Sequence, residues 1–322
     1  MKLPLRRSAV LLTTAVATLA VTLPGTALAN QTDKKAKEYK LAEFAVPADI
    51  TTGPDGALYA PDGSLDRLWR VTTKGRVSSV DVPGGPAGAA TGKDGALWVT
   101  ARTTSQVHRV TTGGKLTSYQ LPTADAFPTD IVAGPDGALW FTETRADKIG
   151  RITTKGEITE YPIPTAGAFA ADITVGPDGA LWFTESSGNK IGRITTKGEL
   201  TEYPLDVPDA LPAGIVTGRD GALYFTEGNT NAVTRMNAKG QVTRRSPLPT
   251  EFATPLALAP TRHGVYVSQH SLGSIGFMSY GGVFGRPLRT KSAPDRITIG
   301  PDGNLWYAAG NDGKIGRIAI DC

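Results

Sequence analysis

Short runs of apolar and aromatic residues, separated by Gly, Pro, Asp and Asn, recur along the chain from residue 50 onward. The two most regular copies read GPDGALWFTETRADKIGRITTKGEITEYPIP from Gly134 and GPDGALWFTESSGNKIGRITTKGELTEYPL from Gly176. Short β-rich runs bounded by Pro-Asp-Gly, Ser-Gly-Asn and Lys-Gly are typical of strands joined by tight turns. The second copy predicts four strands, which we call A to D, at 172–175, 180–185, 190–195 and 199–203.

This unit repeats along the whole chain. Its Asp-Gly turn is found at Asp55, Asp94, Asp136, Asp178, Asp220 and Asp302, with a weak copy at 262–264. Successive Asp residues are separated by 39, 42, 42 and 42 positions, followed by 82 across the weak copy. Seven units of four strands predict an all-β fold, a seven-bladed β-propeller with four antiparallel strands per blade.

The last unit ends after its third strand, at 315–320, so its fourth strand has to come from elsewhere. The segment 39–46, YKLAEFAV, precedes the first turn and is similar to the strand D segments ITEYPIP and LTEYPL. We expect it to complete the last blade and close the ring, which removes the exposed edges of an open array. The predicted domain is a single propeller over 39–322, preceded by a polar linker over 30–38.

The first 29 residues have the pattern of an export signal, with three basic residues, an apolar stretch over 9–23 and a small-residue cleavage site at 27–29. The apolar stretch is shorter than the roughly 20 residues that a membrane span needs. We therefore expect a secreted, extracellular protein without a membrane span. The Sec route is favoured, and the adjacent Arg6 and Arg7 leave the twin-arginine route open.

The net charge and the number of cysteines restrict which partners and which covalent or metal cross-links are expected. The chain has a net charge of +4, but three of its cations and no acid lie in the leader, which leaves +1 for the mature protein. This balance gives no electrostatic support for nucleic-acid binding. Cys322 is the only cysteine, so an internal disulfide and a cysteine-based metal cluster are excluded. We expect a monomer, with an intermolecular bridge through Cys322 left open.

The motifs LWFTE, KIGRIT, Lys-Gly and ITEYPIP, in that order, resemble those of the virginiamycin B lyase (streptogramin B lyase) family. The resemblance extends over the mature chain and implies a seven-bladed propeller. For the characterised members it also implies a magnesium-dependent lyase, which linearises a cyclic depsipeptide antibiotic by elimination across its ester bond. The family's catalytic positions resemble a Pro-His-Gly-Ile tract at the entrance to strand A of the last two blades.

This chain departs from the family at those positions. Leu256 replaces the histidine of the sixth blade, and Ala293 and Asp295 replace a glutamate and a histidine in the seventh. A further glutamate is missing near 309–311, where Gly310 stands. A general base typically contributes about 10²- to 10⁴-fold to a rate. We therefore expect the family's elimination to be absent.

Repetition separates structural residues from functional ones, because a ligand bound at one place needs residues that break the symmetry. Structural roles are assigned to three repeated sets: the strand C arginines, the strand B tryptophans, and the strand-end glutamates Glu143, Glu185 and Glu227. His270 breaks the pattern in the B–C loop of the sixth unit, on the face where the strand A entrances lie. With Asp295 and Arg296 it forms the candidate relocated catalytic site.

Asp49, Asp130 and Asp172 occupy matching places just before strand A in the first, third and fourth units. Carboxylates from neighbouring blades suit Mg²⁺ or Ca²⁺, and Mg²⁺ is the ion that the resemblance implies. Alternatively, each Asp accepts hydrogen bonds from the amides of its own turn. Arg296 is expected to neighbour Asp49 across the closure.

Three functions follow from this pattern. The leading hypothesis is a lyase-like propeller that binds a small molecule, peptide or polymer on one face without the family's chemistry. The second is an active lyase, or a hydrolase of other cyclic esters, with a relocated site. The third is an extracellular protein-interaction module.

Overall fold

Seven four-stranded antiparallel sheets, each in the order A-B-C-D, are formed by residues 36–320, the part of the chain that the computed structural model describes. The fold is the predicted seven-bladed β-propeller. The predicted signal peptide over 1–29, the linker up to residue 35 and Cys322 lie outside the described residues. Within the described range no helix is long and apolar enough to cross a membrane.

Strands of equivalent position begin and end at nearly the same place in each repeat. The A strands are Thr51–Thr52, Pro86–Thr91, Pro128–Ala133, Ala170–Val175, Pro212–Thr217, Pro255–Pro260 and Arg296–Ile299. The B strands are Leu58–Asp62, Leu97–Ala101, Leu139–Glu143, Leu181–Glu185, Leu223–Glu227, Gly264–Gln269 and Leu305–Ala309. The C strands are Arg67–Val71, Gln106–Val110, Lys148–Ile152, Lys190–Ile194, Ala232–Met236, Ser274–Ser279 and Lys314–Ile318. The D strands are Val77–Asp81, Leu116–Gln120, Ile158–Pro162, Leu200–Pro204, Val242–Pro247, Leu288–Arg289 and, in the seventh sheet, Lys37–Lys40.

The repeated tryptophans hold neighbouring sheets together. Trp182 is fully buried and packs with Ile215, Leu223 and Phe225 of the next sheet. Each such tryptophan stacks on a tyrosine of strand D, with ring centroids between 5.3 and 5.8 Å apart. The four members are Trp98, Trp140, Trp182 and Trp306. Their burial confirms the structural interpretation, because stacked aromatic rings bury large apolar areas between sheets.

The repeated Asp-Gly turn is joined to the same framework. In the fourth sheet Asp178 accepts a hydrogen bond from Trp182 Nε1 at 3.0 Å and forms an ion pair with Arg193 at 2.7 Å. The same Asp–Arg pair occurs in all six units that have the strand C arginine. The arginines are therefore structural, as predicted.

A belt of hydroxyl groups on strand B, which the sequence analysis missed, connects strand A of one sheet to strand A of the next. Thr184 Oγ1 accepts a hydrogen bond from the amide of Asp172 at 3.1 Å and donates to the carbonyl of Ala213 at 2.7 Å. The other members are Thr100, Thr142, Thr226 and Ser268. Ala308 and Pro61 stand at this place in the seventh and first sheets, so the belt ends there.

Strand Lys37–Lys40 lies at the edge of the seventh sheet, beside its C strand. Lys37–Lys40 pairs antiparallel with Lys314–Ile318, and Tyr39 stacks on Trp306. Glu38 accepts hydrogen bonds from Tyr307 at 2.7 Å and from Lys314 at 3.0 Å.

The strand predicted over 39–46 begins and ends later in the sequence than the observed strand Lys37–Lys40. The dipeptide Glu38-Tyr39, and not the segment that starts at Tyr39, matches the Glu-Tyr pair of the other D strands. Residues 43–44 form a turn in which Phe44 has a φ of 63°, a conformation that cannot continue a strand. The closure of the ring by this segment stays a prediction.

Candidate functional site

The two faces of the propeller are made of different connections. The B–C loops and the segments that lead from strand D to the next strand A form what we call the upper face. The A–B and C–D turns form the lower face. The two kinds of upper loop are bonded to each other: the amide of Thr144 donates to the carbonyl of Phe127 at 3.2 Å.

His270 and Asp295 lie together at the upper face. Nδ1 of His270 is 2.7 Å from Oδ1 of Asp295, and the two side chains are 26% and 25% exposed, so solvent reaches both. Asp295 is held in place by two backbone bonds: its Oδ2 accepts from the amide of Gly310 at 2.7 Å, and its own amide donates to Ala308 at 2.9 Å. His270 begins the 3-10 turn His270–Leu272 between strands B and C of the sixth sheet.

The pair consists of an imidazole and a carboxylate, two groups that together can act as a general base. Nδ1 of His270 does not have the alignment of a hydrogen bond, so the contact with Asp295 is an ion pair when the imidazole carries a proton. A carboxylate beside an imidazole orients the ring and stabilises the imidazolium that forms when it accepts a proton. Among the described residues Nε2 of His270 has no hydrogen-bond partner, and it is the atom that could take a proton from a ligand.

The pair is assembled from positions different from those that the family resemblance indicates. Asp295 stands at the histidine position, and the histidine comes from the preceding blade. A Cβ atom at residue 310 would lie 3.0 Å from Oδ2 of Asp295, so a side chain at this place would require the carboxylate to shift slightly. Leu256 contributes only its carbonyl, which accepts a bond from the hydroxyl belt, and Ala293 donates its amide to Asp312.

Arg296, the third candidate, points elsewhere. It reaches across the central channel from the seventh sheet to the fourth, where Nη1 lies 3.3 Å from Oδ2 of Asp172. Burial lowers the pKa of Arg296, but three surrounding carboxylates outweigh burial and raise the pKa above its ordinary value. These carboxylates belong to Asp172, Asp130 and Asp49. The predicted neighbour Asp49 is among them, although the ion pair is formed with Asp172.

The three channel carboxylates connect successive sheets. Each accepts a hydrogen bond from a strand A amide of the following blade: Asp49 from Ala89 at 3.2 Å, Asp130 from Ile173 at 2.9 Å and Asp172 from Ile215 at 2.9 Å. The alternative interpretation, in which the amides belong to the residue's own turn, is therefore incomplete, since it omits these bonds to the next blade.

The channel carboxylates do not fit the Mg²⁺ that the resemblance implies. Desolvation raises the pKa of Asp49, and desolvation together with the adjacent Asp172 raises the pKa of Asp130 well above its ordinary value. A cation bound here would also have to compete with the guanidinium group of Arg296, whose Nη1 lies 3.3 Å from Oδ2 of Asp172. In the range 36–320 no group of three or more His, Cys, Asp or Glu side chains is arranged to hold a metal ion. Arg296 supplies the positive charge at this place.

Exposed apolar side chains are concentrated on the upper face. Of the seven large exposed apolar side chains in the described residues, the six on this face are Phe44, Val46, Phe169, Leu211, Phe252 and Leu272. The seventh, Val283, lies on the lower face. Phe44 and Phe252 are 78% and 82% exposed and have φ values of 63° and 55°. The equivalent positions Asp125, Gly167 and Asp209 also have a positive φ, so this conformation belongs to the repeated loop, and only the exposed aromatic side chains are unusual.

The sequence analysis missed this apolar rim. A signal was present, because Phe44 and Phe252 stand where the loops of the third and fifth blades have Asp125 and Asp209. On the lower face, clefts also lie between neighbouring sheets, but the arginines that line them, Arg70 and Arg151, are already paired with aspartates.

The strand-end glutamates do not share one role. Glu227 is paired with Arg245 at 2.9 Å, as the structural interpretation predicts. Glu143 and Glu185 are fully buried, and within the described residues neither forms an ion pair or accepts a backbone hydrogen bond. Burial, with a smaller effect of a neighbouring glutamate, raises the pKa of each to about 8.

Comparison with known proteins agrees with the fold and the motifs. The sequence profile of the virginiamycin B lyase family matches residues 25–206 and 166–322. A crystal structure of selenomethionine-substituted virginiamycin B lyase from Staphylococcus aureus is 30% identical, with a TM-score of 0.83, over 89% of this chain and 99% of that one. A streptogramin B lyase structure is 31% identical, with a TM-score of 0.84, over 89% of this chain and 97% of that one.

A catalytically inactive variant of the S. aureus lyase, crystallised with quinupristin, is likewise 30% identical over 89% of this chain and 99% of that one, with a TM-score of 0.83. Hydrazine synthase from Kuenenia stuttgartiensis, 19% identical with a TM-score of 0.73 over 87% of this chain and 98% of that one, shares the fold alone. No curated protein sequence matches the chain. The family profile, the solved lyases and the ordered motifs lead to one conclusion: the chain belongs to the virginiamycin B lyase family.

Proposed function

We propose that this chain is an exported member of the family that binds a ligand with apolar groups on its upper face and does not perform the family's elimination. The observation that carries the proposal is the apolar rim, where six of the seven large exposed apolar side chains of the described residues lie on one face. Concentrated exposed apolar surface on a soluble fold marks a binding site. The leader pattern over 1–29 supports export.

The residues where the central channel opens on the upper face support the absence of the elimination reaction. The histidine and glutamate positions of the seventh blade hold Asp295, Ala293 and Gly310, and the donor set of the channel does not fit Mg²⁺. A chain without these groups would lack the base that the family's reaction is expected to use. Binding is the part of the activity that the upper face can still provide.

Quinupristin is the first ligand to test, because it occupies the structure of the inactive relative. We expect isothermal titration to detect binding, and mass spectrometry after incubation with Mg²⁺ to find the intact molecule. The double variant Phe44→Ser/Phe252→Ser should bind at least about tenfold more weakly, since buried aromatic anchors dominate binding energies. Val283→Ser, an exposed apolar residue of the lower face, is the matched control and should bind like the wild type.

Two results would contradict the proposal. A linearised product that disappears on chelation would show that the elimination persists. Equal affinity of the wild type and the double variant, or no binding at all, would show that the apolar rim is not a site for this class of ligand.

A second function is favoured by one contact, the 2.7 Å approach of His270 to Asp295. In this function Nε2 of His270 takes a proton from a water molecule, whose oxygen adds to the carbonyl carbon of a cyclic ester. The ester bond then breaks, and the leaving alkoxide receives the proton from the imidazolium. The products are a ring-opened carboxylic acid and an alcohol.

Asp295→Asn tests this second function against a panel of cyclic esters. It should lower the hydrolysis rate by at least about 100-fold, because the orienting carboxylate is lost, and should leave the melting temperature nearly unchanged. His270→Gln should have the same effect on the rate. A wild type without esterase activity, or variants as active as the wild type, would exclude the pair as a catalytic base.

A further inference from the structure

A second group of charged residues lies on the upper face, away from the seventh blade. Phe127 is packed between two arginines: Cζ of Arg145 lies 4.2 Å from the centre of its ring, and Cζ of Arg102 lies 5.4 Å from it. Phe127 has a φ of 54°, the same value as Phe169 and Leu211 at the equivalent positions of the next two loops, so its backbone follows the repeat. The amide of Arg102 donates to the carbonyl of Gly85 at 3.1 Å, which fixes the base of its loop.

Arg102 breaks the symmetry of the ring at the same position as His270. Both are the first residue after strand B of their sheets. In the other five sheets this place is taken by smaller residues, namely Gly63, Thr144, Ser186, Gly228 and Gly310. A long cationic side chain that occurs once at a repeated position is not required by the blade, and such positions are where a ligand can be recognised.

Neither guanidinium group forms a direct ion pair among the described residues. In the described part of the chain neither Arg102 nor Arg145 forms an ion pair with a carboxylate, and Nε of Arg102 is buried without a hydrogen-bond partner. An unpaired buried donor is costly, which is why most such groups in folded proteins are satisfied. Burial lowers the pKa of Arg102 and the charge of Arg296 lowers it further, while the smaller effects of Asp130 and Asp49 raise it.

These observations describe a site prepared for an anion. A guanidinium group offers parallel N–H donors that match a carboxylate, and it prefers this planar partner to a single point charge. The stacked ring of Phe127 holds both cations on one side of the channel mouth. The nearest part of the apolar rim, Phe169 in the next blade, is 49% exposed and can receive an apolar group attached to the anion.

We propose that Arg102 and Arg145, positioned by Phe127, bind the carboxylate of a ligand whose aromatic or apolar part rests on the upper face. The proposal rests on the proposed function, since it names the charge and the polar end of the ligand that the apolar rim would bind. It assigns Arg102 a specificity role that the repeat pattern of the sequence does not require.

N-acetyl-L-phenylalanine and its primary amide are suitable probes, because they differ only in the carboxylate. In titrations followed by NMR, the wild type should bind the acid at least about tenfold more tightly than the amide, as expected for charge-assisted hydrogen bonds. Arg102→Gln and Arg145→Gln should each reduce this ratio, and the double variant should abolish it. Arg219→Gln, which removes an exposed cation of the lower face, is the matched control and should leave the ratio unchanged.

The preference for the acid should also weaken as NaCl is added, while binding of the amide stays constant. Equal affinities of the wild type for the acid and the amide would overturn the anion site. The apolar rim would still be tested separately, by the binding of quinupristin. Binding of neither probe would also overturn it. If the double variant still preferred the acid to the amide, cationic residues other than Arg102 and Arg145 would bind the carboxylate.

Discussion

The two faces of this propeller differ in how regularly their polar groups are paired. On the lower face each Asp-Gly turn is bonded to the arginine and the aromatic residue of its own sheet, as in Asp178 with Arg193 and Trp182. On the upper face Arg102 forms no direct ion pair in the described structure, and Phe252 is 82% exposed. Repeated groups that satisfy one another stabilise blades, whereas unique groups left unsatisfied are available to a ligand.

The difference is sharpest where the hydroxyl belt ends. Ser268, the last member of the belt, donates to the carbonyl of Asp295 at 3.3 Å, and the seventh sheet continues with Ala308 in the corresponding place. The carboxylate of Asp295 is therefore positioned by the backbone on both sides while its other oxygen faces His270. A rigid framework that presents one unusual pair is the arrangement expected of a functional site.

The largest expected effect is on the free energy of unfolding, which distinguishes side chains buried between sheets from those exposed on the upper face. Trp140→Ala should lower the free energy of unfolding by about 3–5 kcal/mol, because it removes a fully buried ring between two sheets. Phe252→Ala should change it by no more than about 0.5 kcal/mol, since this side chain is exposed. Urea unfolding measures both. If both variants lost a similar free energy of unfolding, the exposed side chains of the upper face would be as important for stability as the buried tryptophans, and the distinction would fail.

A smaller effect tests the closure of the ring by the N-terminal strand. Glu38→Ala removes the acceptor of the bonds from Tyr307 and Lys314, and it should lower the free energy of unfolding by about 1–3 kcal/mol. Lys40→Ala, an exposed position on the same strand, is the control and should have little effect. If Glu38→Ala were as stable as the control, the seventh sheet would not depend on this segment.

A further comparison, made across pH, concerns the buried groups Glu143 and Glu185. The unfolded chain releases their protons near the ordinary pKa of 4.5, while the folded protein holds them up to about 8. Between these values the folded protein binds more protons than the unfolded chain, so the free energy of unfolding falls as pH rises. Below the lower value, both states are protonated and this contribution to stability is fully present.

The variant Glu143→Gln/Glu185→Gln should therefore lose less stability than the wild type between about pH 5 and about pH 8. Urea unfolding at the two pH values measures the difference. Glu227→Gln is a useful contrast, because it removes the partner of Arg245 and should lower stability at both pH values. An unchanged slope in the double variant would mean that the two buried glutamates are not protonated in the folded state.

The fold could be predicted from the sequence because it is repeated seven times. Strands of the fourth blade lie within two residues of their predicted bounds, since Pro-Asp-Gly and Lys-Gly fix the turns independently of tertiary contacts. The fourth strand of the seventh sheet was harder to locate, because it has no turn of its own and only the pair Glu38-Tyr39 carries its signal.

The site could be predicted in part. His270 is predicted because it breaks the symmetry, and Asp295 because it stands at the histidine position that the resemblance indicates. Their contact could not be predicted, since it depends on how the sixth B–C loop meets the seventh strand A. The binding mode of the channel aspartates was missed because their partners lie in the next blade, about 40 residues away, as for Asp130 and Ile173 with a separation of 43. Phe44 and Phe252 were overlooked because exposure of a single apolar residue has no period in the sequence.

Hydrogen exchange measured with and without quinupristin tests the central claim most directly. The account predicts slower exchange in upper-face segments, at 125–130, 167–172 and 250–255, together with intact ligand at the end of the experiment. Amides of the Asp-Gly turns on the lower face should exchange at the same rate with and without ligand. Slower exchange confined to the lower turns, or recovery of linearised quinupristin, would contradict a binding face that lacks the family's chemistry.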